Sequence, residues 1–115
     1  MQRGAVRLVD LEPVRGAKAD KQRPAVIVSN HGANSTAHRI GRGVTTVVPV
    51  TSNTDRVHPF QVLLPASTTG LTVDSKAQAE QVRSIAVERL GRRIGMLDAK
   101  LQTDLDEALR LHLAL

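Results

Sequence analysis

Apolar side chains occur along this chain in short runs, separated by polar stretches rich in Gly and Pro. Residues 4–11 alternate loosely between aliphatic and polar positions and predict a strand. Residues 12–22 hold Pro13, Gly16 and five charged side chains, the composition of an exposed loop. Residues 24–29 are a short apolar run with β-branched members, a buried strand by length. Pro24 is tolerated there because the first residue of a strand need not donate to the ladder. Residues 30–42 are polar, with a helical turn expected around residues 33–37. Residues 44–50, Val-Thr-Thr-Val-Val-Pro-Val, carry the strongest strand signal. A short strand over 60–64 is bracketed by Pro59 and Pro65, and 68–70 reads as a turn.

Residues 72–90 satisfy two patterns. Ala79, Val82, Ala86 and Leu90 recur at helical spacing, whereas Val73, Ser75, Ala77 and Ala79 fit one face of a strand. The Ala, Gln and Glu content tips the propensity reading to helix. Residues 91–97 predict a short strand. Asp98 is suited to cap a final helix, along which Leu101, Leu105, Ala108, Leu109 and His112 draw an apolar stripe. Four or five short strands followed by a terminal helix define an antiparallel α+β domain. A doubly wound sheet would need helices between the strands. The 115 residues suffice for one core, so residues 1–115 are expected to form a single domain.

Composition narrows the function classes. Cysteine is absent, which removes disulfide scaffolds, thiol catalysis and thiolate zinc sites, and fits a cytoplasmic location. No run approaches the roughly 18 apolar residues that span a bilayer, so no membrane association is expected. The N-terminal residues carry charges where a signal peptide needs apolar ones. The net charge is +5, and residues 1–60 hold nine basic against four acidic groups while the remainder is balanced. A localised positive field suits a polyanion, and nucleic acid is the commonest one. One Phe is the only aromatic side chain. Successive bases therefore cannot be held by ring stacking, and recognition must rest on Arg, hydroxyls, amides and backbone.

The four histidines, His31, His38, His58 and His112, show no metal-ligand spacing, and no metal site is expected. His31 and His38 fall in a loop and His112 on the core stripe. A pair of histidines acting as acid and base stays open as a minor alternative. Phosphate-binding glycine loops and the Gly-X-Ser-X-Gly elbow are missing. Two places are chemically pointed. In Gln22-Arg23-Pro24 a guanidinium stands where a charged loop meets a buried strand, its chain direction set by Pro24. Such an Arg offers a fork of donors to a phosphate at any physiological pH. In Pro49-Val50-Thr51-Ser52-Asn53 two hydroxyls stand at the exit of the strongest strand.

Taken in order, Arg3-Gly4, Asp10-Leu11-Glu12-Pro13, Gly16, residues 22–30, Val47-Val48-Pro49-Val50-Thr51-Ser52, Gly70-Leu71, Glu80-Gln81-Val82-Arg83-Ser84-Ile85, Arg89-Leu90 and Ile94-Gly95 resemble the MazF/PemK (Kid-like) toxin endoribonucleases of type II toxin–antitoxin systems. The resemblance covers nearly the whole chain. It implies a small SH3-like antiparallel β-barrel, the MazF/CcdB-like fold, with a C-terminal helix, and it places residues 72–90 largely in strand. It implies a homodimer that cuts single-stranded RNA, often messenger RNA, at short motifs without metal or other cofactor. The 2′-hydroxyl attacks the adjacent phosphate and leaves a 2′,3′-cyclic phosphate and a 5′-hydroxyl, and translation and growth stop.

By position, the resemblance puts the catalytic Arg on Arg23 and the catalytic Thr on Thr51, with Ser52 assisting. Glu80, with Gln78 beside it, falls where some relatives carry an acidic residue used in RNA recognition or proton transfer. The loop over 12–22 is expected to gate the RNA channel, with Arg15, Lys18 and Lys21 on phosphates. A cognate MazE-like antitoxin with an acidic, disordered tail is the implied partner in the same channel. The chain also departs from the family pattern. Ala5-Val6-Arg7 stands where many relatives have an aromatic residue, and Ala17-Lys18 where many have Ser-Glu, so base specificity does not carry over. The alternative function on this fold is a non-enzymatic, CcdB-like gyrase poison, which needs neither Arg23 nor Thr51.

Overall fold

The computed structural model describes residues 2–11, 22–30, 32, 36, 39, 40 and 42–115. In chain order its elements are β1 (Ala5–Asp10), β2 (Gln22–Ile27), β3 (Val44–Thr51), β4 (Gln61–Leu64), a helical turn α1 (Ala66–Thr69), β5 (Ser75–Gln78), β6 (Arg83–Ala86), β7 (Leu90–Met96) and helix α2 (Ala99–Leu113). Two 3-10 turns, Ala79–Gln81 and Val87–Arg89, flank β6. Gly32, Thr36, Arg39 and Ile40 are helical, as expected near residues 33–37. The expected loop cations Arg15, Lys18 and Lys21, and His31 and His38, lie outside the described residues.

β3 organises the sheet. Val and Thr, whose branched side chains favour extended backbone, fill all but one of its positions. A strand this long presents two rows of backbone donors and acceptors that burial obliges it to satisfy. One edge pairs with β2 in the register Ala25↔Pro49, Val26↔Val48 and Ile27↔Val47. The other edge is shared: Val44 to Val47 pair with β6, and Val50 and Thr51 with β5. The order β4-β5-β3-β2-β1-β7 completes an antiparallel sheet, with β6 paired to β3 off that path.

This sharing overturns the helix reading of residues 72–90 and raises the strand count from four or five to seven. The helix-spaced positions do not face one core. Ala79 and Val82 pack in one cluster and Leu90 in the other. The free edge of β3 outweighs the local preference of Ala, Gln and Glu, and only the two short 3-10 turns keep helical geometry.

Two apolar clusters lie on opposite faces. Val6, Val26, Val48, Val50, Val62 and Leu64 pack with Leu97, Leu101, Leu105 and Ala108 under α2. Ala5, Val9, Ala25, Ile27, Val47 and Ile85 form the second cluster. The alternation of Val26 and Ile27, and of Val47 and Val48, between clusters is the period-two consequence of strand geometry. Asp98 caps α2 by accepting from the Leu101 N–H at 2.8 Å. Arg3 ties the N-terminus to the helix by donating to Asp106 at 2.5 Å and to the Val28 carbonyl at 2.9 Å. His112 is exposed, against the expectation that it packs in the core. The last turn of α2 outruns the sheet, and residues 110–115 are all exposed. Among the described residues no helix is long and apolar enough to cross a membrane.

The expected barrel does not close by hydrogen bonds. Among the described residues the sheet path runs open from β4 to β7. The end of α1 instead packs on β7 through bare backbone. Gly70 adopts φ 82°, which glycine accepts without strain. A Cβ on Gly95 would stand 1.8 Å from the Thr69 carbonyl oxygen. We expect Gly95→Ala to lower stability by about 1–3 kcal/mol or more, read as a fall in Tm. An unchanged Tm would contradict the closing contact. Asp98→Ala, which removes only the cap, should cost about 1 kcal/mol.

Candidate active site

The registers determine which side chains meet. β1 pairs with β2 as Arg7↔Ala25 and Val9↔Arg23. Continuing the β2–β3 register by two residues sets Arg23 opposite Thr51. Directly opposed residues share a face, so the guanidinium and the hydroxyl emerge side by side at the end of the β2–β3 pair. Both line one cleft of about 620 Å³, together with Ser52, Gln78, Gln22, Thr72 and Ser75. The structure thus unites Arg23, Thr51, Ser52 and Gln78, which come from three separate stretches of the chain.

Each group is presented for use. Arg23 is exposed at the start of β2, and its guanidinium has no hydrogen-bond or ion-pair partner among the described residues. The Thr51 Oγ1 accepts from the Asn53 N–H at 3.2 Å, so a backbone donor occupies a lone pair and leaves the hydroxyl proton to point outward. Ser52 is exposed beside it. Among the described lining residues Arg23 is the only charged one, and no carboxylate offsets it. A cleft of this composition favours an anion that accepts from guanidinium and hydroxyl donors together, as a phosphodiester does.

Glu80 goes elsewhere. It lies in the 3-10 turn after β5 and is not among the residues lining the cleft. Its Oε2 accepts from Gln61 Nε2 at 2.6 Å, while Gln61 Oε1 accepts from the His58 N–H at 3.1 Å. The other carboxylate oxygen is buried without a partner. The pair ties β4 to the turn that follows Gln78. His58 stacks on Phe60 with ring centroids 5.2 Å apart, also outside the cleft. Among the described residues no three His, Asp or Glu side chains converge where a metal ion could be held.

Sequence reasoning missed Gln22 as a cleft residue in its own right, and Thr72 and Ser75 entirely. Gln22 leaned on a visible signal, its place before Arg23-Pro24. Its amide packs over Gly91, where a Cβ would meet Nε2 at 2.8 Å. Thr72 and Ser75 follow the Gly70-Leu71 pair and enter the cleft only because β5 takes the free edge of β3. A larger groove of about 850 Å³ runs between β4 and α2, but Asp98, Asp104 and Glu107 line it. Those carboxylates repel phosphate, so size does not decide the site.

An antiparallel sheet with a terminal helix, and an Arg–Thr pair in a cleft whose described lining has no carboxylate, define a small β-fold with a cleft suited to an anion. The sequence model of the PemK-like, MazF-like toxins of type II toxin–antitoxin systems matches residues 2–113, and the chain belongs to that family of toxin endoribonucleases. It is 65% identical to Endoribonuclease MazF9 of Mycobacterium tuberculosis, over all of this chain and 98% of that protein. It is 31% identical to Endoribonuclease EndoA of Bacillus subtilis, over all of this chain and 96% of that one. In fold it matches an endoribonuclease from a mycobacterial species, solved with its cognate antitoxin. That match has a TM-score of 0.79 and 23% identity, covering all of this chain and 96% of the other.

The Glu80–Gln61 tie is testable on its own. Gln61→Leu strips the donor from a largely enclosed carboxylate and should cost about 1–3 kcal/mol, read from the urea midpoint. A midpoint unchanged from wild type would show that the tie contributes nothing.

Proposed function

We propose that this toxin cuts single-stranded RNA by metal-independent transesterification, with Arg23 and Thr51 as its catalytic residues and residues 1–115 acting as one toxin domain. The observation that carries the reading is that Arg23, whose guanidinium has no partner among the described residues, and the donor-ready hydroxyl of Thr51 line one cleft with no carboxylate among its described lining residues.

The substrate supplies its own nucleophile. The ribose 2′-oxygen forms a bond to phosphorus, and the bond from phosphorus to the 5′-oxygen breaks. One proton leaves the 2′-hydroxyl and one joins the departing 5′-oxygen, so the products are a 2′,3′-cyclic phosphate and a 5′-hydroxyl. Charge gathers on the equatorial phosphoryl oxygens of the transition state. Fixed donors aimed there stabilise it more than they stabilise the ground state. Arg23 supplies the fork of positive charge, and Thr51 donates to a phosphoryl oxygen, with Ser52 beside it. A guanidinium is a donor without an acceptor site and makes a poor base, so Arg23 acts on charge and at the leaving oxygen rather than on the nucleophile. Gln78 and Gln22 offer amides to flanking nucleotides. Glu80 serves the site by holding the turn behind Gln78.

The positive N-terminal half and the loop cations Arg15, Lys18 and Lys21 draw the RNA strand in. The acidic tail of a cognate MazE-like antitoxin occupies the same cleft and blocks it. The toxin acts as a homodimer in the cytoplasm.

Arg23→Ala should abolish cleavage while circular dichroism and Tm stay near wild type, since the side chain is exposed and unpartnered. Thr51→Val should lower kcat by about 10²–10³ with a smaller change in RNA affinity, the size expected for removing one transition-state donor. Full activity in Arg23→Ala would sink the assignment. An unchanged kcat in Thr51→Val would remove that hydroxyl from the mechanism.

A further inference from the structure

A second pair of guanidinium groups stands on the face that carries Arg23. β1 and β7 bring Arg7 and Arg93 directly opposite each other. Like charges so placed repel. Neither is free to retreat. Arg7 donates through Nε and Nη2 to the Gly91 carbonyl, at 2.9 and 2.6 Å, and Arg93 donates Nε to the Gly95 carbonyl at 3.3 Å. Burial first, and Arg93 second, hold Arg7 below the ordinary arginine range. Among the described residues no carboxylate pairs with either guanidinium. The ion pairs among the described residues are Arg3 with Asp106, Arg89 with Asp10, and two pairs within α2. A like-charge pair without a counter-ion among the described residues is unfavourable as it stands and favours a bound anion.

Its position relative to the catalytic pair follows from the register. Arg7 and Val9 lie two residues apart on β1 and share a face, and Val9 is opposite Arg23. Arg7 and Arg23 are therefore diagonal neighbours, with Cα atoms about 7–8 Å apart. Arg93, Arg7 and Arg23 form a row that crosses β7, β1 and β2 and ends at Thr51.

We propose that Arg7 and Arg93 form a phosphate subsite for the RNA strand, next to the scissile phosphate, so that the strand crosses β2, β1 and β7 in turn. The subsite rests on the ribonuclease reading and deepens it. RNA fits the row better than an acidic peptide does, because the row is continuous with a cleft that must itself hold a phosphodiester.

The test is substrate length. Cleavage of a set of single-stranded RNAs sharing one cut motif is compared, from the shortest that is cut to one extended on both sides. In the wild type, kcat/KM should rise with extension. In Arg93→Gln, whose side chain is exposed, the ratio of kcat/KM for extended over minimal RNA should fall about 5- to 50-fold. The salt slope of extended-RNA binding should fall by about 0.7. Arg7→Gln, chosen to keep bulk beside Gly91, should do the same. A length ratio equal to that of wild type would overturn the subsite. So would weaker binding of a glutamate-rich peptide with the RNA length ratio intact, which would assign the pair to a protein partner. If the wild type cuts no RNA of any length, the ribonuclease reading fails and takes the subsite with it. Cleavage by wild type with a length-independent defect in Arg93→Gln fails the subsite alone.

Discussion

A slip of one residue in the pairing of β2 with β3 would turn Arg23 and Thr51 to opposite faces of the sheet and move either Val26 or Val48 out of the core beneath α2. The same register therefore holds the apolar core together and assembles the site. The apolar core and the placement of Arg23 beside Thr51 are not independent demands on these strands. The Val and Ala side chains that lock the pairing also determine where a guanidinium meets a hydroxyl. Pro24 lies third in β2, not at its start as expected, opposite Leu8 of β1 and just before the β2–β3 pairs begin at Ala25↔Pro49.

The open path of the sheet gives the cleft its place. β3 is paired on one edge by β2 and on the other by two short strands in succession, so its last residues stand where the sheet divides. Arg23, Thr51, Ser75 and Gln78 gather at that division. Opposite, the contact of Gly70 with Gly95 brings the sheet's ends together without a hydrogen-bonded seam. Among the described residues acidic side chains line the groove beside α2 instead of this cleft, where Arg23 is the only charged lining residue.

Much of this was legible in the chain, and the exceptions have physical causes. The β-branched run over 44–50 and the Asp98-capped stripe on α2 announce themselves because local preference and burial agree there. Residues 72–90 mislead because their composition favours helix while an unpaired strand edge decides the outcome. His112 misleads because periodicity does not say where a helix outruns its sheet. Arg23 and Thr51 stand out in the sequence by local chemistry and by motif resemblance, and their adjacency needed the fold. Glu80 was expected near the RNA, but a 3-10 turn breaks strand alternation and turns it to Gln61. The opposition of Arg7 and Arg93 depends on register shifts between β1 and β7 that no local pattern reports.

The central claim is that the RNA's own 2′-hydroxyl is the nucleophile and that the protein supplies only fixed donors. It is tested by cleaving a single-stranded RNA in excess EDTA and determining the end groups by mass, beside the same strand carrying one 2′-deoxynucleotide on the 5′ side of the cut. The account predicts 2′,3′-cyclic phosphate and 5′-hydroxyl ends from the RNA and no cut at the deoxy position. Cleavage at the deoxy position, or ends bearing a 5′-phosphate, would contradict it.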